Sequence, residues 1–128
     1  MDKNQIKLGI TSIQRSVVVC NRLGLFEAAS AAVYSMIDAI NALVEGNEET
    51  AAEDCFKSSF LIYKVLYESF SEKFEKRSSL AEDAEKILKE SNDWNAFAKA
   101  SSNYMDAIAE VVHGTEFEAE FLKFKVGS

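Results

Sequence analysis

The chain has 128 residues, 48% of them hydrophobic and 27% charged, with no proline and only five glycines. That length is one ordinary domain, large enough to fold on a buried core without a disulfide or a metal, and the composition excludes a disordered chain. Lys and Arg number 14 against 21 Asp and Glu, a net charge of −7, which repels phosphate backbones and anionic lipid heads and argues against nucleic-acid and membrane partners.

The missing proline points to long uninterrupted helices. A first helix is expected over 3–23, capped by Asp2 with Gln5 as its reciprocal partner. Ile6, Ile10, Ile13, Val17 and Cys20 recur along it at 4,3,4,3 spacing as one apolar stripe. Gly24 supplies a left-handed stop, with Leu25 reaching back to Cys20. A second helix over 25–45 has Phe26, Val33, Ile37, Ile40 and Val44 as its stripe. Ala28, Ala29, Ala31 and Ala32 make its first half thin, so a neighbour can pack closely there. Gly46 ends it and Asn47 caps the next element.

The third helix, over 48–76, is the longest. Acidic residues at its start and Lys73, Lys76 and Arg77 at its end both match the helix dipole. Ser79 opens a fourth helix to about residue 90, with Glu82 completing a capping box. Ser91, Asn92 and Asp93 form a polar turn. A fifth helix over 94–113 carries Trp94, Phe97, Ser101, Tyr104, Met105, Ile108, Val111 and Val112 on one face, and Gly114 stops it. Thr115 and Glu118 open a short sixth helix with Phe117, Phe121 and Phe124 inward. No strand pattern is present. The connections are short, so the expected fold is all-α: a single domain over 1–128, an antiparallel up-and-down bundle of five helices plus a short C-terminal sixth. A faint repeat at an offset of 68 residues aligns Asp38-Ala39-Ile40 with Asp106-Ala107-Ile108 and Gly46 with Gly114.

The most distinctive pattern is on the third helix, where Phe56, Phe60, Tyr63, Tyr67, Phe70 and Phe74 recur at 4,3,4,3,4 spacing. The row reads first as a core seam. Its length and its two hydroxyls also suggest that part of it is shared with a partner. Glu48, Glu49, Glu53 and Asp54 add an acidic start to the same helix, so all ten residues form the candidate interaction surface. Residues 1–24 carry a net +3 and the rest −10, consistent with an acidic face presented to a basic protein.

Positive signs of catalysis are missing. His113 is the only histidine and sits beside Gly114. One Glu110-x-x-His113 falls short of the two such motifs of a di-iron bundle, and a phosphorelay histidine would need Lys and Gly on the following turn. Five isolated glycines make no phosphate loop, and two separated cysteines make no zinc site. No cofactor and no metal are expected. Residues 33–68, an apolar helix, a Gly-Asn turn and a Glu-rich helix start, are similar in layout to helical export chaperones of the flagellar type and to tetratricopeptide hairpins. The Trp, Tyr, Ala and Pro positions of the tetratricopeptide pattern are not met.

The reading is a non-catalytic acidic protein-binding module of the chaperone, immunity, antitoxin or inhibitor type, in the cytoplasm. The alternatives are a homodimer paired through the third helix, or a small-molecule-binding or enzymatic bundle with a pocket among Trp94, Tyr104 and the helix-3 aromatics.

Overall fold

The structure, a computed structural model, describes residues 3–90 and 93–126. The expected cap at Asp2 and the turn residues Ser91 and Asn92 lie outside them, as do the side chains of Phe56, Trp94 and Phe124. The chain is all-α, with no strand among the described residues. Its helices are α1 (Lys3–Arg22), α2 (Phe26–Val44), α3 (Glu48–Phe74), α4 (Ser79–Glu90), α5 (Trp94–Val112) and α6 (Glu118–Val126). The chain divides into two compact units, Met1–Ile62 and Tyr63–Ser128.

In the first unit α1 and α2 form an antiparallel hairpin. Its turn is a left-handed stop. Gly24 has φ +76°, and the Leu25 N–H donates to the Cys20 carbonyl at 2.8 Å, with the Gly24 N–H on Asn21 at 3.2 Å. These are the two backward bonds of a Schellman end, which satisfy carbonyls the helix leaves open. Gly46 repeats the device at the end of α2, where the Asn47 N–H donates to Ala42 at 2.9 Å. α1 buries Ile6, Ile13, Ser16, Val19 and Cys20, while α2 buries Ala29, Ala32 and Ala39. Small residues on the inward side let the two backbones approach closely, as the alanine-rich sequence implies. Met36 and Leu43 share that inward side, but Phe26, Val33, Ile37, Ile40 and Val44 do not, and that reversal defines the site described below.

In the second unit α5 packs on α4 and on α6. Ala81 and Ala84 of α4, Phe97, Ala100, Tyr104, Ala107, Ile108 and Val111 of α5, and Phe121 of α6 are buried with Leu66, Tyr67 and Phe70 of α3. Tyr104 meets Tyr67 edge-on at 6.0 Å, and Phe70 meets Phe117 at 5.6 Å, both within the range where offset aromatic pairs attract. Lys73 lies over the Phe117 ring at 4.5 Å.

The helix starts differ from expectation at α4 and α6. Ser78, not Ser79, caps α4. Its hydroxyl accepts from the Leu80 N–H at 3.2 Å and donates to the Glu110 carboxylate, and its own N–H donates to the Tyr67 hydroxyl at 3.0 Å. This buried junction holds the cap one residue earlier. Asp93 caps α5 through the Ala96 N–H at 2.8 Å. Glu118 reaches back to the Gly114 N–H rather than to Thr115.

α3 ends at Phe74, two residues before the expected limit, because Glu75 takes the left-handed conformation at φ +52° and the Lys76 N–H returns to Ser71 at 3.2 Å. A side chain in that region costs energy that glycine does not. Glu75→Gly is therefore expected to raise stability by about 1 kcal/mol, read from urea unfolding. A loss of stability would show that the Glu75 side chain makes a compensating contact.

Candidate functional site

A helix has 3.6 residues per turn, so residues spaced 4,3,4,3 form a row along one side. α2 carries three such rows. The inward row is Ala29, Ala32, Met36, Ala39 and Leu43, whose members are buried or half-buried. About 100° around the helix runs a second row, Phe26, Ser30, Val33, Ile37, Ile40 and Val44, and every member is exposed. Phe26 is 66% exposed and Val44 80%. A third row, about another 100° on, is Glu27, Tyr34, Asp38, Asn41 and Glu45, also exposed throughout.

The ring of Tyr34, 69% exposed, lies beside the exposed apolar side chains of the second row. Contiguous exposed apolar side chains of this kind mark interaction surfaces, whereas scattered single ones do not. The N-terminal half of the row opens into a groove of about 300 Å³, with Val17 and Asn21 of α1 on one side and Phe26, Ser30, Val33 and Tyr34 of α2 on the other.

The electrostatics of this face follow from the sequence. Between Arg22 and Lys57 there is no basic residue, yet Glu27, Asp38, Glu45, Glu48, Glu49, Glu53 and Asp54 all fall there. The net charge of that stretch equals the −7 of the whole chain. The apolar face of α2 thus lies in the most acidic stretch of the sequence, while the basic residues Lys3, Lys7, Arg15 and Arg22 are on α1, the helix that packs against it.

The structure places the aromatic residues of α3 differently from an open surface. Phe60, Tyr63, Tyr67 and Phe70 are 2–5% exposed and Phe74 is half-buried. They are core side chains here and offer no face to a partner. Glu49, Glu53 and Asp54 are exposed and Glu48 is half-buried. Glu48 and Glu49 line a shallow polar hollow with Gly46 and Asn47. Of the pocket suggested among Trp94, Tyr104 and the helix-3 aromatics, the Trp94 side chain lies outside the described ones, and Tyr104 is 1% exposed, packs on Tyr67, and donates to Glu85 at 3.2 Å. Burial first, then the Glu85 charge, pushes its phenol pKa up. Lys64 reaches the same carboxylate at 2.8 Å and holds its pKa below the usual range. The stabilisation is present above the unfolded carboxylate pKa and is lost as pH falls through the lowered one.

A second hollow of about 570 Å³ lies among α4, α5 and α6, floored by Leu80, Val112 and Phe121. Its carboxylates are occupied. Glu110 accepts from Ser78, and Glu118 accepts from Gly114 and pairs with His113 Nδ1 at 3.1 Å. The Glu110-x-x-His113 pair therefore points into separate contacts. Among the described residues no group of three His, Cys, Asp or Glu is placed to hold a metal ion, and no helix is long and apolar enough to cross a membrane.

Cys20 and Cys55 are both free and fully buried. Burial pushes each thiol up to about 11, helped at Cys55 by the charge of Asp54. At neutral pH almost no thiolate forms. A thiol reagent is expected to find neither cysteine in the folded chain and both after unfolding. Rapid reaction of either in the folded chain would contradict this burial.

The α2 face is the feature that periodicity alone did not orient. Its sequence signal is the parallel row of small residues, Ala29, Ala32 and Ala39, which marks the side suited to close packing and leaves the large row outside. No family model, curated protein or solved structure matches the chain.

Proposed function

We propose that the chain is a non-catalytic protein-binding module, of the chaperone, antitoxin or inhibitor type, that engages its partner through the exposed row of α2. The observation that carries this reading is the row itself. Phe26, Val33, Ile37, Ile40 and Val44 stand in water along one side of a helix whose inward side is already packed. Such a row is costly to leave open and has the form of a helix-recognition surface. The two unpaired, buried thiols support a reducing, cytoplasmic setting.

The test uses the tagged full chain and its Ile37→Gln/Ile40→Gln variant on native lysate. Glutamine is a good helix former, so circular dichroism of the two should coincide. The expected result is a protein held in stoichiometric amount by the wild type and lost by the variant. Retention of the same proteins in the same amounts by both would overturn the reading.

A further inference from the structure

The partner's own chemistry follows from what flanks the row. Resting on the reading above, we propose that the occupant of the α2 face is an amphipathic helix of another protein with an apolar stripe and a basic flank.

Three observations converge. The row from Phe26 to Val44 keeps strict 4,3 spacing with Ser30 as its only polar member, which is the register of helix-on-helix packing rather than of a small ligand. It runs the length of α2, about 27 Å at 1.5 Å per residue, so it matches a partner helix of about five turns. Its open flank is Glu27, Asp38 and Glu45, with no Lys or Arg anywhere from residue 23 to residue 56. A partner with Lys or Arg along that edge would face three carboxylates, and an Arg could also stack on the exposed Tyr34 ring.

The same charge argues against a second copy as the occupant. Antiparallel pairing of α2 with α2 would set the Glu27, Asp38 and Glu45 flanks of two copies side by side, with no basic residue on either helix. Like charges facing one another across an interface are destabilising. The free polar flank also sets the partner's orientation around its axis. Its stripe seats on the Ile37 and Ile40 side, and its basic edge turns away from α1 toward the Asp38 row.

The experiment uses two synthetic helical peptides of about 20 residues, long enough to match the row. They have identical leucine stripes at 4,3 spacing, one with Lys and Arg flanks and the other with Glu flanks. Fluorescence anisotropy against the full chain is read at about 50 mM and about 500 mM salt, where screening differs several-fold. The basic peptide should bind at least about ten-fold tighter than the acidic one at low salt, with the advantage shrinking at high salt. Glu27→Gln/Asp38→Asn/Glu45→Gln should remove most of that preference, and Ile37→Gln/Ile40→Gln should abolish binding of both peptides.

Equal affinity for the two peptides, lost in Ile37→Gln/Ile40→Gln, would overturn the basic-partner proposal and leave the α2 face as a binding surface. So would failure of both peptides together with a dimer that the same double variant dissociates. If neither peptide binds and the chain is monomeric, the proposal fails, and the lysate test decides the broader reading separately. Undiminished binding of the basic peptide to Ile37→Gln/Ile40→Gln would mean that the general acidic field attracts it, which also overturns the proposal.

Discussion

Phe70→Ala is expected to cost about 3–5 kcal/mol of folding stability, the range for deleting a buried aromatic ring. Phe70 is 2% exposed and touches Phe74 at 6.2 Å and Phe117 at 5.6 Å between ring centres. The substitution removes both ring contacts and leaves a cavity that a helix core closes only in part. A domain of this kind has about 5–15 kcal/mol in total, so the variant should unfold at much lower urea. Phe60→Ala, at 3% exposure, should behave alike. A cost below about 1 kcal/mol for either, the average for arbitrary substitutions, would mean that the α3 row is not core.

Ile37→Gln/Ile40→Gln is expected to do the opposite. The two side chains are 44% and 43% exposed, so folding stability should change by about 1 kcal/mol or less. Binding should fall by about a thousandfold, because hot-spot residues at the centre of an interface each cost about 2 kcal/mol or more when they are lost. Urea unfolding and partner affinity measured on one sample separate the effects. Unfolding comparable to that of Phe70→Ala would show that these isoleucines are core residues. The contrast matters because both rows have the same 4,3 spacing in the sequence.

That shared spacing explains what the sequence could and could not disclose. The ends of the helices were legible, since left-handed glycines and capping side chains act locally. Leu25 returning to Cys20, Asn47 at the start of α3 and Gly114 after α5 all follow from neighbouring residues. The left-handed Glu75 was not legible, because no glycine marks it. Ser78 took the cap from Ser79 through Tyr67 and Glu110, residues far away in sequence.

The direction in which a row faces is a property of tertiary packing. On α3 the large aromatic row faces inward. On α2 the row of Ala29, Ala32 and Ala39, with Met36 and Leu43, takes the inward place, and the row of Phe26, Val33, Ile37, Ile40 and Val44 is left outside. Periodicity measures that a row exists, and only the neighbour's shape decides which of two rows it accepts. The acidic residues Glu48, Glu49, Glu53 and Asp54 were legible by charge alone. Their relevance changes once the apolar surface lies on α2, within the same unbroken acidic stretch.

Hydroxyl-radical footprinting of the full chain, free and bound to the partner captured from lysate, tests the docking face most directly. In the free chain Phe26 and Tyr34 should oxidise readily while Phe60, Tyr63 and Tyr67 are spared. In the complex Phe26, Tyr34, Ile37, Ile40 and Val44 should become protected together. Protection confined to other helices, with the α2 row as reactive as before, would contradict the assignment of this face.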